Sequence, residues 1–283
     1  MRKSFKTHGK IHFIGIGGSG MFPLVQIMQQ RGYKITGSDN NESDTLALER
    51  AMGIDVMLGQ RAENIAGADL IVYTAAIMDD NPELRATFAS KTPTVERAEL
   101  LGFLTGLYED CICVCGTHGK TTTTAMLTQM LLGAGLDPTA VIGGKLPAIG
   151  GNGRAGESSL MVCEACEFKD HFLQLHPDLS VILNVDADHL EYFGTIENII
   201  KSFHKFADMT TRTIIVNGSD TNSMRAVEGI NGKEIITFGW DEHFDYYPAN
   251  IRRKGAQAEF DLCCGGRALT HLTLHVPRSA QYP

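Results

Sequence analysis

"CVCGTHGKTTTTAM", Cys113–Met126, decides how the chain is read. A strand-like run, Cys111 to Cys115, stops at Gly116. Thr117, His118, Gly119, Lys120 and Thr121 follow, and then a helix-like run. The usual phosphate-binding spacing is G-x-x-x-x-G-K-[ST]. Counting back five from Gly119 gives Val114, so this loop is shorter than the common one. Its chemistry is still that of a phosphate cradle. Lys120 can reach terminal phosphates as a point charge. The Thr121 hydroxyl can bind Mg²⁺, and backbone N–H groups from Thr117 onward can wrap phosphates with the helix dipole behind them. Lys120 is followed by four threonines, Thr121 to Thr124. Threonine is a poor helix former, so function explains the run better than propensity does.

Magnesium needs more oxygen ligands than one hydroxyl. Glu164 ends the apolar strand "SLMVCEA", an odd place for a carboxylate that binds nothing. His189 follows "ILNVDAD", read as the C-terminal end of a parallel strand, where such sheets bind ligands. Glu167, Asp186 and Asp188 are further acids nearby, read in part as solvated.

A second strand–glycine–helix unit opens the chain, "KIHFIGIGGSGMFPLVQIMQQRGYKITGSD". Ile11 to Ile16 reads as a buried strand, a periodic helix runs to about Arg31, Gly32 caps it, and Tyr33 to Gly37 reads as the next strand. Gly15-Ile16-Gly17-Gly18-Ser19-Gly20 fits G-x-G-x-x-G, a loop that lets backbone approach a diphosphate. Asp39 is placed to bond a ribose or a base. The residues alone leave NAD, another nucleotide diphosphate and a simple packing turn all open.

Between and beyond these units, "DLIVYTAAI" reads as a third strand, with helices at Pro82 to Ala89 and Arg97 to Leu104. A helix from about Lys120 to Gly133, the strands "SLMVCEA" and "LSVILNVDADH", a helix at Ile196 to Phe206, and the strands "TIIVN" and "EIITFG" follow. Strands alternating with helices make this an α/β chain with parallel sheets. After Trp240, "AEFDLCC" and "LTHLTLHV" alternate as antiparallel edge strands do. The domain boundary is expected near Thr105 to Asp110.

The 283 residues carry a formal net charge of -8 and no basic block, which argues against non-specific nucleic-acid binding. No run approaches the roughly 18 apolar residues of a membrane span. Met1 to Lys10 lacks the apolar core of a signal peptide. The seven cysteines lack zinc-ribbon spacing and read as buried, reduced thiols of a cytoplasmic protein.

"GTHGKTTTTAM", "EACE" and "DADHLEYFG", with "HFIGIGGSGM" and "ITGSD" ahead of them, together resemble the Mur ligase family of peptidoglycan synthesis, from about Lys10 to Pro277. The resemblance implies a Rossmann-like UDP-sugar-binding domain over residues 1–106 and a P-loop-type α/β ATPase domain over residues 107–283. By it, Gly116, Thr117, His118, Gly119, Lys120, Thr121 and Thr122 bind ATP. Thr121 and Glu164 hold one Mg²⁺ and His189 a second, and Lys120, Glu164 and His189 form the catalytic set. Gly15, Gly17, Gly18, Gly20 and Asp39 become a UDP-sugar site rather than an NAD site, with Ser19, Thr74 and Arg97 lining the same cleft. Cys166 stands where relatives often have aspartate.

Later members of the family carry a carbamylated lysine fourteen or fifteen residues after the histidine; here those positions are Phe203 and His204. That points to the branch that adds L-alanine to UDP-N-acetylmuramate through an acyl phosphate. The peptide-recycling branch, whose glycine loop usually carries a cysteine that "GIGGSG" lacks, is the nearest rival. A non-catalytic UDP-sugar or nucleotide-binding module is the alternative of a different class. The resemblance also implies a Gly-x-His-Asn segment after "HLTLHVP" and a third domain. "RSAQYP" does not match, so the reading is a C-terminally truncated ligase that binds UDP-sugar, turns over little, and leaves apolar surface uncovered at its central-domain edge.

Overall fold

In the computed structural model, which describes residues 9–255 and 257–275, the chain forms two compact units. The first takes residues up to Val114 together with Gly119–Asp178; the second takes Cys115–His118 together with the residues from Leu179 on.

The first unit opens with β1 (Lys10–Ile14), α1 (Phe22–Gln30), β2 (Lys34–Asp39), α2 (Asp44–Ala51), β3 (Asp55–Leu58), β4 (Leu70–Tyr73), α3 (Pro82–Ser90), β5 (Thr94–Glu96) and α4 (Arg97–Thr105). The strands pair in parallel in the order β3-β2-β1-β4-β5. Phe13, Ile14, Ile71 and Val72 on the central strands are fully buried, as in a sheet covered on both faces. The helices start on local signals. Ser43 caps α2 by accepting the Leu46 N–H at 3.2 Å, and Asn81 caps α3 by accepting those of Glu83 and Leu84 at 2.9 and 3.1 Å. Strand order reverses between β1 and β4, and such a reversal opens a crevice beyond the carboxyl ends of the strands.

The same unit continues with β6 (Asp110–Cys115), α5 (Lys120–Gly133), β7 (Thr139–Leu146), β8 (Gly151–Arg154) and β9 (Leu160–Glu164). β9 runs parallel between β6 and β7, and β8 closes antiparallel on β7. Cys111, Cys113 and Cys163 are buried free thiols, with the first two sulfurs 3.7 Å apart. Hydrogen bonds from Cys111 and Cys163, and then burial, hold the Cys113 thiol well above its usual pKa, so it stays protonated. Cys166 departs from the expectation of buried thiols: it is exposed.

The second unit contains β10 (Leu179–Ile182), α6 (Leu190–Phe193), α7 (Ile196–Met209), β11 (Thr213–Asn217), α8 (Thr221–Val227), β12 (Glu234–Phe238), β13 (Tyr246–Lys254), β14 (Gln257–Cys264) and β15 (Arg267–His275). β10, β11 and β12 are parallel and β13 pairs with β12 at Phe238–Tyr246; β14 and β15 run antiparallel as the alternation predicts, and β13, which the sequence reading does not include, pairs antiparallel with β14. α7 turns Ile199, Ile200, Phe203 and Phe206 inward. A largely apolar cavity of about 420 Å³ opens among Phe238, Trp240, Tyr246, Ile251, Phe260 and Leu262, with Trp240 68% exposed.

Several elements differ from the sequence reading. β3, β5, β7, β8, β13, α2 and α8 were not anticipated, and β10 stops at Ile182, far short of His189. "GNGR" in β8 has no strand formers and is a strand only because it pairs with β7. Met1 to His8, Val276, Pro277 and "RSAQYP" lie outside the described residues.

Glu49 on α2 is fully buried, and neither carboxyl oxygen has a hydrogen-bond partner. Burial, then the nearby Asp39 charge, raises its pKa from 4.5 to about 8 against the weaker pull of Arg50. The folded chain therefore keeps a proton that the unfolded chain has lost between pH 4.5 and about 8. Stability from this group is intact below pH 4.5 and drains away as pH rises to about 8, at up to about 1.4 kcal/mol per pH unit. Glu49→Leu should raise the melting temperature at pH 8.5 by more than at pH 5.5. Equal shifts at both values, measured by circular dichroism, would show that Glu49 is not protonated in the fold.

Candidate functional site

The glycine loop leaves β1 at the strand-order reversal. Gly15 takes φ +80°, and its N–H and that of Ile16 both donate to Ser38 O at 2.8 and 3.0 Å, which bends the loop over the end of β2. The Gly17 N–H donates to Asp39 Oδ2 at 3.1 Å, and the Asn41 N–H to Oδ1 at 3.1 Å. A Cβ on Gly17 would sit 3.0 Å from that carboxylate oxygen, so a larger residue there would push against Asp39. Thr74 Cγ2 lies 3.1 Å from where a Gly15 Cβ would be, and the Arg97 side chain 3.3 Å from where a Gly20 Cβ would be. Gly18 N–H donates to Gly15 O at 3.1 Å, and Ser19 O accepts from Asn152 Nδ2 at 2.5 Å. Gly17 thus lies against Asp39, Gly15 against Thr74 and Gly20 against Arg97.

Beneath it lies a buried polar cluster that sequence reasoning missed. Glu83 Oε2 accepts from Ser38 Oγ at 2.5 Å, and His12 Nε2 approaches the same oxygen to 3.7 Å while its Nδ1 bonds Thr36 Oγ1 at 3.0 Å. Burial would raise the Glu83 pKa, but the nearby His12 and hydrogen bonds from Ser38 and Asn64 outweigh it and hold the carboxyl below its usual value.

The phosphate-cradle sequence divides between the two units after His118. In the first unit, Gly119 takes φ +84° and α5 starts at Lys120. The Lys120 ammonium pairs with Glu167, at 2.9 Å from Oε2. Thr121 Oγ1 donates to Glu164 Oε1 at 3.0 Å, and the Gly143 N–H donates to Oε2 at 2.6 Å. A Cβ on Gly143 would lie 2.6 Å from both oxygens, so a larger residue at that strand position would displace the Glu164 carboxylate. The structure therefore joins Thr121 to Glu164 by a hydrogen bond. A hydroxyl and a carboxylate are hard oxygen donors, the kind Mg²⁺ takes alongside phosphate and water. Among the described residues no cluster of three or more His, Cys, Asp or Glu side chains is arranged to hold a metal by itself. Thr124 and Thr128 are structural: each hydroxyl donates to the carbonyl four residues back, at 2.8 and 2.7 Å.

A small cavity of about 30 Å³ lies among Arg97, Glu164, Cys166, His171 and Phe172, so one residue of the glycine-loop group and one of the metal pair line the same space. Burial lowers the His171 pKa, although Glu96 stands 3.7 Å away.

In the second unit, Asn184 grips the other half of the loop. Its carbonyl accepts the Thr117 N–H at 3.0 Å, its Oδ1 the His118 N–H at 2.7 Å, and its Nδ2 donates to His118 O at 3.0 Å. Thr117 Oγ1 accepts the Asp186 N–H at 2.8 Å. The Thr117 and His118 amides, read as phosphate donors, are thus turned to Asn184. His189 is not at a strand end. It caps α6 with φ +52°, near Asp188 at 3.9 Å and Glu191 at 3.6 Å. Phe203 is buried in the core, and His204 Nδ1 bonds Ala226 O at 3.0 Å.

Residues 10–108 match the model of the Mur ligase family catalytic domain, and residues 114–277 that of the Mur ligase middle domain. The chain belongs to the Mur ligase family. Members similar to it include UDP-N-acetylmuramate–L-alanine ligases of Agathobacter rectalis, 45% identical over 94% of this chain, and of Caldanaerobacter subterraneus, 42% identical over 95%. The chain spans 59% of the length of each. Among solved Mur ligases, the UDP-N-acetylmuramate–alanine ligase of Thermotoga maritima superposes with a TM-score of 0.83 at 28% identity, over 95% of this chain and 61% of that one. A UDP-N-acetylmuramate:L-alanyl-γ-D-glutamyl-meso-diaminopimelate ligase from Neisseria meningitides gives 0.83 at 25% identity, over 93% and 86%. In this Mur ligase, no helix among the described residues is long and apolar enough to cross a membrane.

Asn184→Ala should cost about 0.5–1.5 kcal/mol, because two exposed backbone groups of His118 exchange a side-chain partner for water. Hydrogen exchange at the His118 amide, whose acceptor is the Asn184 side chain, should accelerate with it. Unchanged exchange there would show that the side chain does not hold the loop.

Proposed function

We propose that this chain carries the sugar-nucleotide and nucleotide sites of an ATP-dependent ligase that joins L-alanine to UDP-N-acetylmuramate in peptidoglycan synthesis, at a cytoplasmic location. The pairing of Thr121 with Glu164 at 3.0 Å, directly after Lys120 at the start of α5, carries the reading. Residues 1–106 would bind the UDP-sugar through Gly15, Gly17, Gly18, Ser19, Gly20, Asp39, Thr74 and Arg97. Residues 107–283 would hold ATP on Gly116 to Thr122. The muramyl carboxylate attacks the γ-phosphate, giving an acyl phosphate and ADP. The L-alanine amine then attacks the acyl carbon, and phosphate leaves.

Lys120 neutralises charge on the transferred phosphoryl group, and the loop fixes its line of approach. Thr121 and Glu164 would hold one Mg²⁺ and His189 another; when bound, the ions screen phosphate charge. Arg97 and Glu164 share a cavity, which supports the two sites meeting where the carboxylate and phosphate must react.

The peptide-recycling ligase has the same fold at the same TM-score, so the fold does not separate the two readings. Identity of 45% to an L-alanine ligase, and the absence of cysteine from "GIGGSG", favour the alanine-adding reading.

Calorimetric titration tests the proposal. The chain should bind UDP-N-acetylmuramate, and Asp39→Ala should weaken this by about tenfold or more, equivalent to about 1.4 kcal/mol. It should bind a non-hydrolysable Mg–ATP analogue, and Lys120→Ala should weaken that similarly. A folded sample that binds neither ligand overturns the reading.

A further inference from the structure

Lys120 is not held in open solvent. Its ammonium lies 2.9 Å from Glu167 Oε2 and 3.1 Å from Oε1, and the two side chains are only 14% and 3% exposed. Glu167 is one of three nearby acids that the sequence reads in part as solvated; in the fold it is buried. Its place is set by a tight turn after β9, not by a loose segment. The Asp170 N–H donates to Glu167 O at 2.9 Å and the Phe172 N–H to Cys166 O at 3.0 Å, while Lys169 and Asp170 take left-handed φ of 51° and 59°.

Burial of this lysine without a carboxylate would be strongly unfavourable. The same carboxylate cancels the charge of the ammonium, and a cancelled charge attracts an approaching phosphate less than a free one does. A polyphosphate arriving at α5 therefore meets a neutralised ion pair rather than a free cation.

We infer that Glu167 is a positioning residue that acts through Lys120: it fixes the ammonium at the head of α5 before nucleotide arrives, and lowers ground-state affinity for polyphosphate in doing so. The inference rests on the reading of this loop as a nucleotide site. A scaffolding role predicts weaker binding when Glu167 is lost; this one predicts tighter binding.

The experiment titrates the full chain with Mg-AMP-PNP and, separately, with inorganic tripolyphosphate, alongside thermal melting of every variant. Glu167→Gln, which keeps shape and removes charge, should bind both ligands about tenfold more tightly than wild type. Glu167→Asp, which keeps the charge, should stay near wild type. In the Lys120→Met/Glu167→Gln double variant, which leaves no unpaired buried charge, the gain should vanish, because Glu167 acts only through Lys120.

If wild type binds, Lys120→Ala weakens binding, and folded Glu167→Gln binds no tighter, the inference fails while the nucleotide reading stands. A gain that persists in the double variant also overturns it, since the effect would not pass through Lys120. If wild type and Glu167→Gln both fail to bind, the nucleotide reading falls and takes this inference with it. Binding by Glu167→Gln where wild type shows none would support it most directly.

Discussion

Glu164 stands half-buried at the end of a parallel strand, where a carboxylate oxygen without a partner carries a desolvation cost. It avoids that cost with the Thr121 hydroxyl on one side and the Gly143 amide on the other. One side chain thereby fastens β9, α5 and β7 together. The fastening dictates residues at its ends. A Cβ at position 143 would displace the Glu164 carboxylate, and the first turn of α5 presents the Thr121 hydroxyl despite its poor helix propensity. With Thr121 fixed, the residue before it is brought against Glu167, so the lysine and the hydroxyl are set by one geometry.

The glycine-loop crevice solves a related problem with backbone. Asp39 is held by amides of Gly17 and Asn41, while Ser38, the residue before it, anchors the loop through its carbonyl and Glu83 through its hydroxyl. Charge is not satisfied everywhere in this region. Glu49, close enough to Asp39 to feel its field, has no partner and keeps its proton instead. Two acids a short distance apart are thus maintained in opposite environments, one hydrogen-bonded by backbone and one dry.

The motifs were legible in sequence because they are local: a run of apolar residues, a glycine turn and a helix start lie within about twenty residues of each other. β1, α1, β6 and α5, with Glu164 at its strand end, follow from that. β7 and β8 were not legible because "TAVIGGKL" and "GNGR" carry glycines that argue against strands; pairing with β9 and with each other overrides propensity. His189 was assigned to a strand end because "ILNVDAD" is apolar enough to prolong β10, yet the strand stops once Asn184 turns to bind the loop. Asn184 and Glu167 could not have been singled out, since their roles depend on partners 66 and 47 residues away. A charged residue next to a motif reads as solvated until its counter-ion is known.

Trp240 is the chain's single tryptophan, and it stands 68% exposed on the aromatic cavity of the second unit. Indole emission is therefore blind to the first unit. It should be red-shifted and readily quenched by iodide in the native chain, and should change when the β12–β15 region opens. Helix signal in circular dichroism comes from both units, most of it from α1 to α5 and α7. A denaturation followed by both probes at once reads cooperativity directly. Coincident curves mean that the units melt as one, and separated curves mean that each carries its own stability.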